Sequence, residues 1–165
     1  MHACIHTKLT HTHPPPLQVS TSASYPIETI IASAPTHPFF FQLYVNKNRS
    51  ASETLLRQIS SLSNNNVSAI FVTADAPSPG KREADERIRA DETLRTPMGG
   101  MTAINDRRGG GLARIMGSFI DDRLNWDDLG WLRRHWKGKV VLKGIMGAED
   151  AMRAAREGVD GIVLR

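Results

Sequence analysis

The sequence predicts an α/β chain, an incomplete (β/α) barrel in which parallel strands alternate with helices. Three apolar runs, FFFQLYV (39–45), AIFVTAD (69–75) and KVVLKG (139–144), each close on polar side chains two residues apart or on a lysine. Stretches of helical periodicity separate these runs, and a parallel strand pair needs such a crossover. The 165 residues fall short of the about 250 that a complete barrel takes. Side chains alternate across a strand, so Gln42 with Tyr44, and Thr73 with Asp75, each point to one side. Strand C-terminal ends are where barrels of this kind build active sites.

Residues 1–16, MHACIHTKLTHTHPPP, carry neither periodicity and end in three prolines, which fit neither a helix interior nor a central strand. They read as a disordered leader, and His2, His6, His11 and His13 have no fixed geometry there for a metal. A short strand candidate follows at 17–21, running into Ser20, Thr21 and Ser22. Residues 26–34 read as a helix, with Pro26 suited to the first turn and Ile27, Ile30 and Ile31 on one face. After the first apolar run, Ser50-Ala51-Ser52-Glu53 has the form of a capping box, and Leu55, Leu56, Ile59 and Leu62 continue at helical spacing. Asn64-Asn65-Asn66 stops that helix before the next strand.

The stretch 78–119 is polar and glycine-rich, and far exceeds a usual loop of about 4–6 residues. It is either a lid over the strand C-terminal face or a plain excursion, with short helical pieces near Arg82 and at 112–116. Asn125-Trp126-Asp127-Asp128 opens a further helix carrying Trp126, Leu129, Leu132 and Trp136. A third helix is expected at 148–157 with Ala151, Met152 and Ala155 inward, closed by Gly158, and a last strand at 159–164. The expected sheet has four parallel strands and two open edges, which invite pairing with another chain.

Composition narrows the function. The formal charge of +4 is modest, and basic residues alternate with acidic ones, as in Lys81-Arg82-Glu83, which describes a solvated surface rather than a nucleic-acid face. The single cysteine, Cys4, excludes an internal disulfide framework. No run approaches the about 20 apolar residues that span a bilayer, and residues 1–9 lack the apolar core of a secretory signal.

The strings FFFQLYVN, AIFVTADAPSPGKREAD, SFIDDRLNWDDLGWL and VVLKGIMGAEDA, in this order, resemble successive blocks of the FMN-dependent 2-hydroxy-acid dehydrogenase and oxidase family. They are most similar to the flavin domain of cytochrome-type L-lactate dehydrogenases. The resemblance implies a partial (β/α)8 TIM barrel over 17–165, about strands 2 to 5, with 78–119 as a lid-like insertion. It also implies FMN as cofactor. The implied reaction is oxidation of a small L-2-hydroxy acid, lactate- or glycolate-like, to the 2-oxo acid, with electrons passed to a cytochrome, a quinone or oxygen.

By the same resemblance, Ser20, Gln42 and Thr73 would hydrogen-bond the flavin, and Lys143 would stand near the ring where negative charge develops on reduction. Tyr44 would donate a hydrogen bond to the substrate, Arg82 would reach the substrate from the lid, and Asp75 would orient a catalytic imidazolium. Structural roles compete with each: Gln42 and Thr73 as satisfied barrel polar groups, Tyr44 as a core aromatic, Arg82 and Lys143 as surface cations.

The family's catalytic histidine stretch, Ser-Asn-His-Gly-Gly, would follow Leu164, and its phosphate loops would lie later still. On that basis the expectation is a truncated gene product, inactive by itself. A half-barrel that assembles with a complementary fragment or a full-length relative, including a homo-oligomer, is the alternative, and a non-flavin binding protein is a third. No segment gives a clear address; the location is cytoplasmic by default, with mitochondria and peroxisomes open from relatives.

Overall fold

A computed structural model describes residues 15–62, 66–76, 80, 82–89, 91–93, 95, 100, 102, 105 and 110–164. Apart from its last two residues, the expected leader, with its four histidines, lies outside these, as do Asn64 and Asn65. The described elements run β1 (Leu17–Ser20), α1 (Ile27–Ser33), β2 (Phe39–Leu43), α2 (Arg49–Leu62), β3 (Val67–Thr73), α3 (Glu83–Glu86), α4 (Leu112–Phe119), α5 (Asp128–His135), β4 (Lys139–Ile145), α6 (Ala148–Arg156) and β5 (Gly161–Leu164). The strands form one sheet in chain order, every pair parallel. This is the arrangement of an incomplete barrel wall.

The expectation of four strands is corrected to five. The short candidate at 17–21 forms β1 and pairs along its length with β2, from Leu17 opposite Phe39 to Ser20 opposite Gln42. With only Leu17 and Val19 as its apolar pattern, this candidate carries too little signal to be counted into the sheet from sequence.

The alternation of the strands divides the sheet into two faces. Phe39, Phe41, Leu43, Ile70, Val72, Val140 and Leu142 point outward and are buried. Against them pack Ile27 and Ile31 of α1, Leu55, Leu56 and Ile59 of α2, and Leu129 and Leu132 of α5. The inner face carries Phe40 and Phe71, half-buried and 5.1 Å apart between ring centroids, with the polar strand ends beyond them.

Two local expectations fail for identifiable reasons. The Ser50 capping box does not form, because α2 already begins at Arg49 and Glu53 instead accepts a 2.8 Å hydrogen bond from Trp131 Nε1 of α5. The turn leading into α5 is instead held by side chains: Asn125 N donates to Asp128 Oδ2 at 2.9 Å and Asp127 N donates to Asn125 Oδ1 at 2.9 Å. In α6 the inward residues are Ala151 and Ala154, while Met152 and Ala155 face solvent. Ala151 and Ala154, three residues apart, form the inward stripe, and Met152 and Ala155 each fall one position off it.

Within 78–119, the described parts include short helices near both ends, α3 and α4. Asp85 Oδ2 accepts from Ala113 N at 2.9 Å and so ties the two together. The return from α4 is stitched to the end of β2: Asn46 and Ile120 form an antiparallel bridge, Lys47 N donates to Phe119 O at 2.7 Å, and Asp121 N donates to Val45 O at 2.8 Å. Among the described residues, no helix is long and apolar enough to cross a membrane.

Candidate active site

The polar ends of β1, β2 and β3 form a continuous hydrogen-bonded row. Ser20 Oγ donates to Gln42 Oε1 at 2.9 Å, and Gln42 Nε2 donates to Thr73 Oγ1 at 2.8 Å. Register explains the meeting, since Ser20 is opposite Gln42 and Gln42 is opposite Phe71, two residues before Thr73 on the same face. Gln42 and Thr73 are buried, and a buried amide needs such partners to offset its lost hydration.

Thr73 in turn lies opposite Lys143 on β4. Lys143 Nζ reaches Asp75 Oδ1 at 3.4 Å, and Ala74 N donates to Lys143 O at 2.8 Å. Ser20, Gln42, Thr73, Asp75 and Lys143 therefore stand together at one rim, the C-terminal ends of four adjacent strands. Tyr44 follows directly on β2, its N–H donating to Thr21 Oγ1 at 3.1 Å. Arg82 stands apart: it is exposed at the start of α3, where its carbonyl accepts from Glu86 N at 2.9 Å.

Two contributors were not singled out in the sequence. Thr21, 3% exposed, both accepts from Tyr44 N and donates from Oγ1 to Gln42 O at 2.7 Å, so it locks the ends of β1 and β2. Its place beside Ser20 was the available signal. Asp121, 4% exposed, accepts from Arg49 Nη2 at 2.9 Å, and the same Arg49 nitrogen reaches Asp128 Oδ1 at 2.9 Å. Burial disfavours the Asp121 charge, but the Arg123 backbone N–H and the Arg49 and Arg123 guanidinium groups outweigh it and hold the carboxyl below the usual carboxylate range. A carboxylate immediately after Phe119-Ile120 was the clue to a buried partner.

The described histidines lie away from the row. His37 sits before β2, at the opposite end of the strand, edge-on to Phe39 with ring centroids 5.4 Å apart. His135, at the end of α5, has Nε2 3.4 Å from Glu53 Oε1. Among the described residues no group of three or more His, Cys, Asp or Glu could hold a metal ion.

Known proteins resemble this chain in sequence and in fold. The chain is 38% identical over 151 residues to the L-lactate dehydrogenase (cytochrome) of Saccharomyces cerevisiae, an alignment covering 90% of this chain and 25% of that protein. It is 37% identical over 149 residues to a peroxisomal (S)-2-hydroxy-acid oxidase of Oryza sativa subsp. indica, covering 88% and 40% respectively. The recombinant flavin-binding domain of baker's yeast flavocytochrome b2 superposes with a TM-score of 0.65 at 34% identity, covering 89% of this chain and 32% of that one. The chain thus spans a quarter of the first of these curated relatives and two fifths of the second. With residues 4–164 matching the FMN-dependent dehydrogenase family, and its parallel sheet presenting the polar row above, the chain belongs to that family.

Proposed function

We propose that this chain forms the flavin- and substrate-facing wall of an FMN-dependent oxidoreductase that converts an L-2-hydroxy acid to the 2-oxo acid. The observation that carries the reading is the unbroken row Ser20–Gln42–Thr73 leading to Lys143. Its donor set fits a flavin: an amide and two hydroxyls can both donate to and accept from the polar edge of the ring, and an ammonium favours negative charge beside it. Phe40 and Phe71 supply an apolar floor on the same face.

In this reading Ser20, Gln42 and Thr73 hold the ring's polar edge, and Lys143 offers its positive charge beside them. FMN, when bound, supplies the two-electron acceptor. Tyr44, at the rim next to Gln42, donates a hydrogen bond to the hydroxy acid. Arg82 supplies a guanidinium for the substrate carboxylate, which requires α3 to bring it toward the strand ends. Asp75 holds a protonated imidazole in orientation once that base has taken the hydroxyl proton. The names of the relatives support lactate or another small 2-hydroxy acid as substrate, and a cytochrome or oxygen as the onward acceptor.

The test is to titrate the purified protein with FMN, following flavin fluorescence, beside Gln42→Ala and Lys143→Met. Saturable binding that both substitutions weaken is the expected result. Failure to bind flavin, or binding that neither substitution weakens, counts against the reading.

A second reading, in which the chain acts by assembling with other (β/α) units, draws on the apolar surface around β5. Ile162 is 36% exposed, Leu164 70%, and nearby Met146 and Met152 78% and 58%. Light scattering that gives a monomer across a wide concentration range would remove it.

A further inference from the structure

Gly144 sits inside β4 at the point where pairing with β5 slips, Lys143 lying opposite Val163 but Ile145 opposite Leu164. Its φ is +102°, a conformation that side-chain-bearing residues rarely adopt. An irregularity of this kind re-aims the neighbouring side chain. Here that neighbour is Lys143.

Dihedral freedom is only half of what the position demands. A Cβ on Gly144 would lie 2.4 Å from Asp75 Cβ, 2.5 Å from Asp75 Cγ and 2.8 Å from Asp75 Oδ1. The Asp75 side chain therefore rests on the bare backbone of Gly144. Asparagine, which tolerates positive φ, could satisfy the turn but not the space. Seated there, the carboxylate is 3.4 Å from Lys143 Nζ, with the two side chains 15% and 25% exposed.

We propose that Gly144 is a positioning residue that seats Asp75 as an internal counter-ion for Lys143, so that the rim ammonium is shared between this carboxylate and an incoming flavin ring. The proposal rests on the reading of Lys143 as flavin-facing. A cation engaged by Asp75 is only partly available, and apparent affinity falls by the fraction of time it is engaged. Removing the carboxylate charge while keeping its shape frees the ammonium. Asp75→Asn then tightens FMN binding by about two- to five-fold, the factor that corresponds to an ion pair of this exposure.

Two measurements decide the matter together: a fluorescence titration with FMN, and the NMR signal of the Lys143 side-chain ammonium in the flavin-free protein. The native chain is expected to show a protected, shifted Lys143 ammonium that Asp75→Asn and Gly144→Ala both return to the position of a solvated lysine. In the titration, Asp75→Asn is expected to bind FMN more tightly and Lys143→Met more weakly. A Lys143 signal unmoved by Asp75→Asn overturns the proposal, whether or not Gly144→Ala folds. So does FMN affinity that Asp75→Asn leaves unchanged or weakens while Lys143→Met weakens it. Should Lys143→Met leave FMN affinity unchanged, the flavin-facing reading of Lys143 falls and the shared cation with it, while the ammonium signal still decides whether Gly144 and Asp75 hold the lysine.

Discussion

The two faces of one sheet, built from alternate residues of the same strands, are under different physical control. On the outer face Phe41, Leu43 and Ile70 have no exposed surface and meet helices at van der Waals contact. On the inner face Phe40 and Phe71 are half-buried, and the residues beyond them are held by directional bonds, Ser20 to Gln42 to Thr73. Apolar burial is roughly proportional to area and indifferent to angle, whereas a hydrogen bond demands distance and direction. The outer face accordingly fixes where the strands run, and the inner face fixes where atoms point.

Substitutions that separate the faces sharpen this contrast. The largest loss is expected from Phe41→Ala, about 3–5 kcal/mol in urea denaturation, with Phe40→Ala on the opposite face costing less than half as much. Equal losses would erase the distinction.

Arg49→Met comes next, at about 2 kcal/mol, because the hydrogen bond it removes is to a charged, buried partner. Its pH dependence carries a definite sign. The Asp121 carboxyl is held below its ordinary range, so its stabilisation is complete above the unfolded value of about 3.9 and is lost as pH falls through the folded value. The gap between native and Arg49→Met stability should therefore be widest near neutrality and close in acid. A gap that persists in acid would mean that Arg49 acts by packing on the Trp131 ring, which its guanidinium carbon overlies at 4.8 Å.

Thr73→Val keeps the shape of the side chain but orphans Gln42 Nε2, and should cost about 1–2 kcal/mol along with a loss of FMN retention. Ser20→Ala, at the more open end of the row, should cost about 0.5–1 kcal/mol, with a smaller change in retention. Denaturation midpoints paired with flavin titrations check both. If the smaller effect fell on Thr73, the row would not be read from its buried centre outward.

Much of the outer face was legible from sequence, because runs such as FFFQLYV and AIFVTAD state both the strand and its parity. Parity put Gln42 with Tyr44, and Thr73 with Asp75, on one side of their own strands; only the resemblance set Gln42 beside Thr73, and the register of the strands joins them. What escaped depended on contacts between distant segments. Glu53 looked like a capping residue because nothing local reveals Trp131, 78 positions away. Arg49 and Asp121 are individually ordinary charges until α2 and the segment after α4 come together. Arg82 matches the family's motif, yet the motif says nothing of where α3 lies, and the structure leaves this arginine exposed at the start of that helix.

The antiparallel stitch between Asn46 and Ile120 has an evolutionary consequence. Because the long excursion after β3 is fastened back onto the end of β2 before α5 begins, its interior can lengthen, shorten or change composition without rethreading the wall behind it. Change within that excursion would leave the strand register of the wall as it stands. Laboratory exchange of the same stretch between homologues, spliced just ahead of Phe119, inherits that freedom.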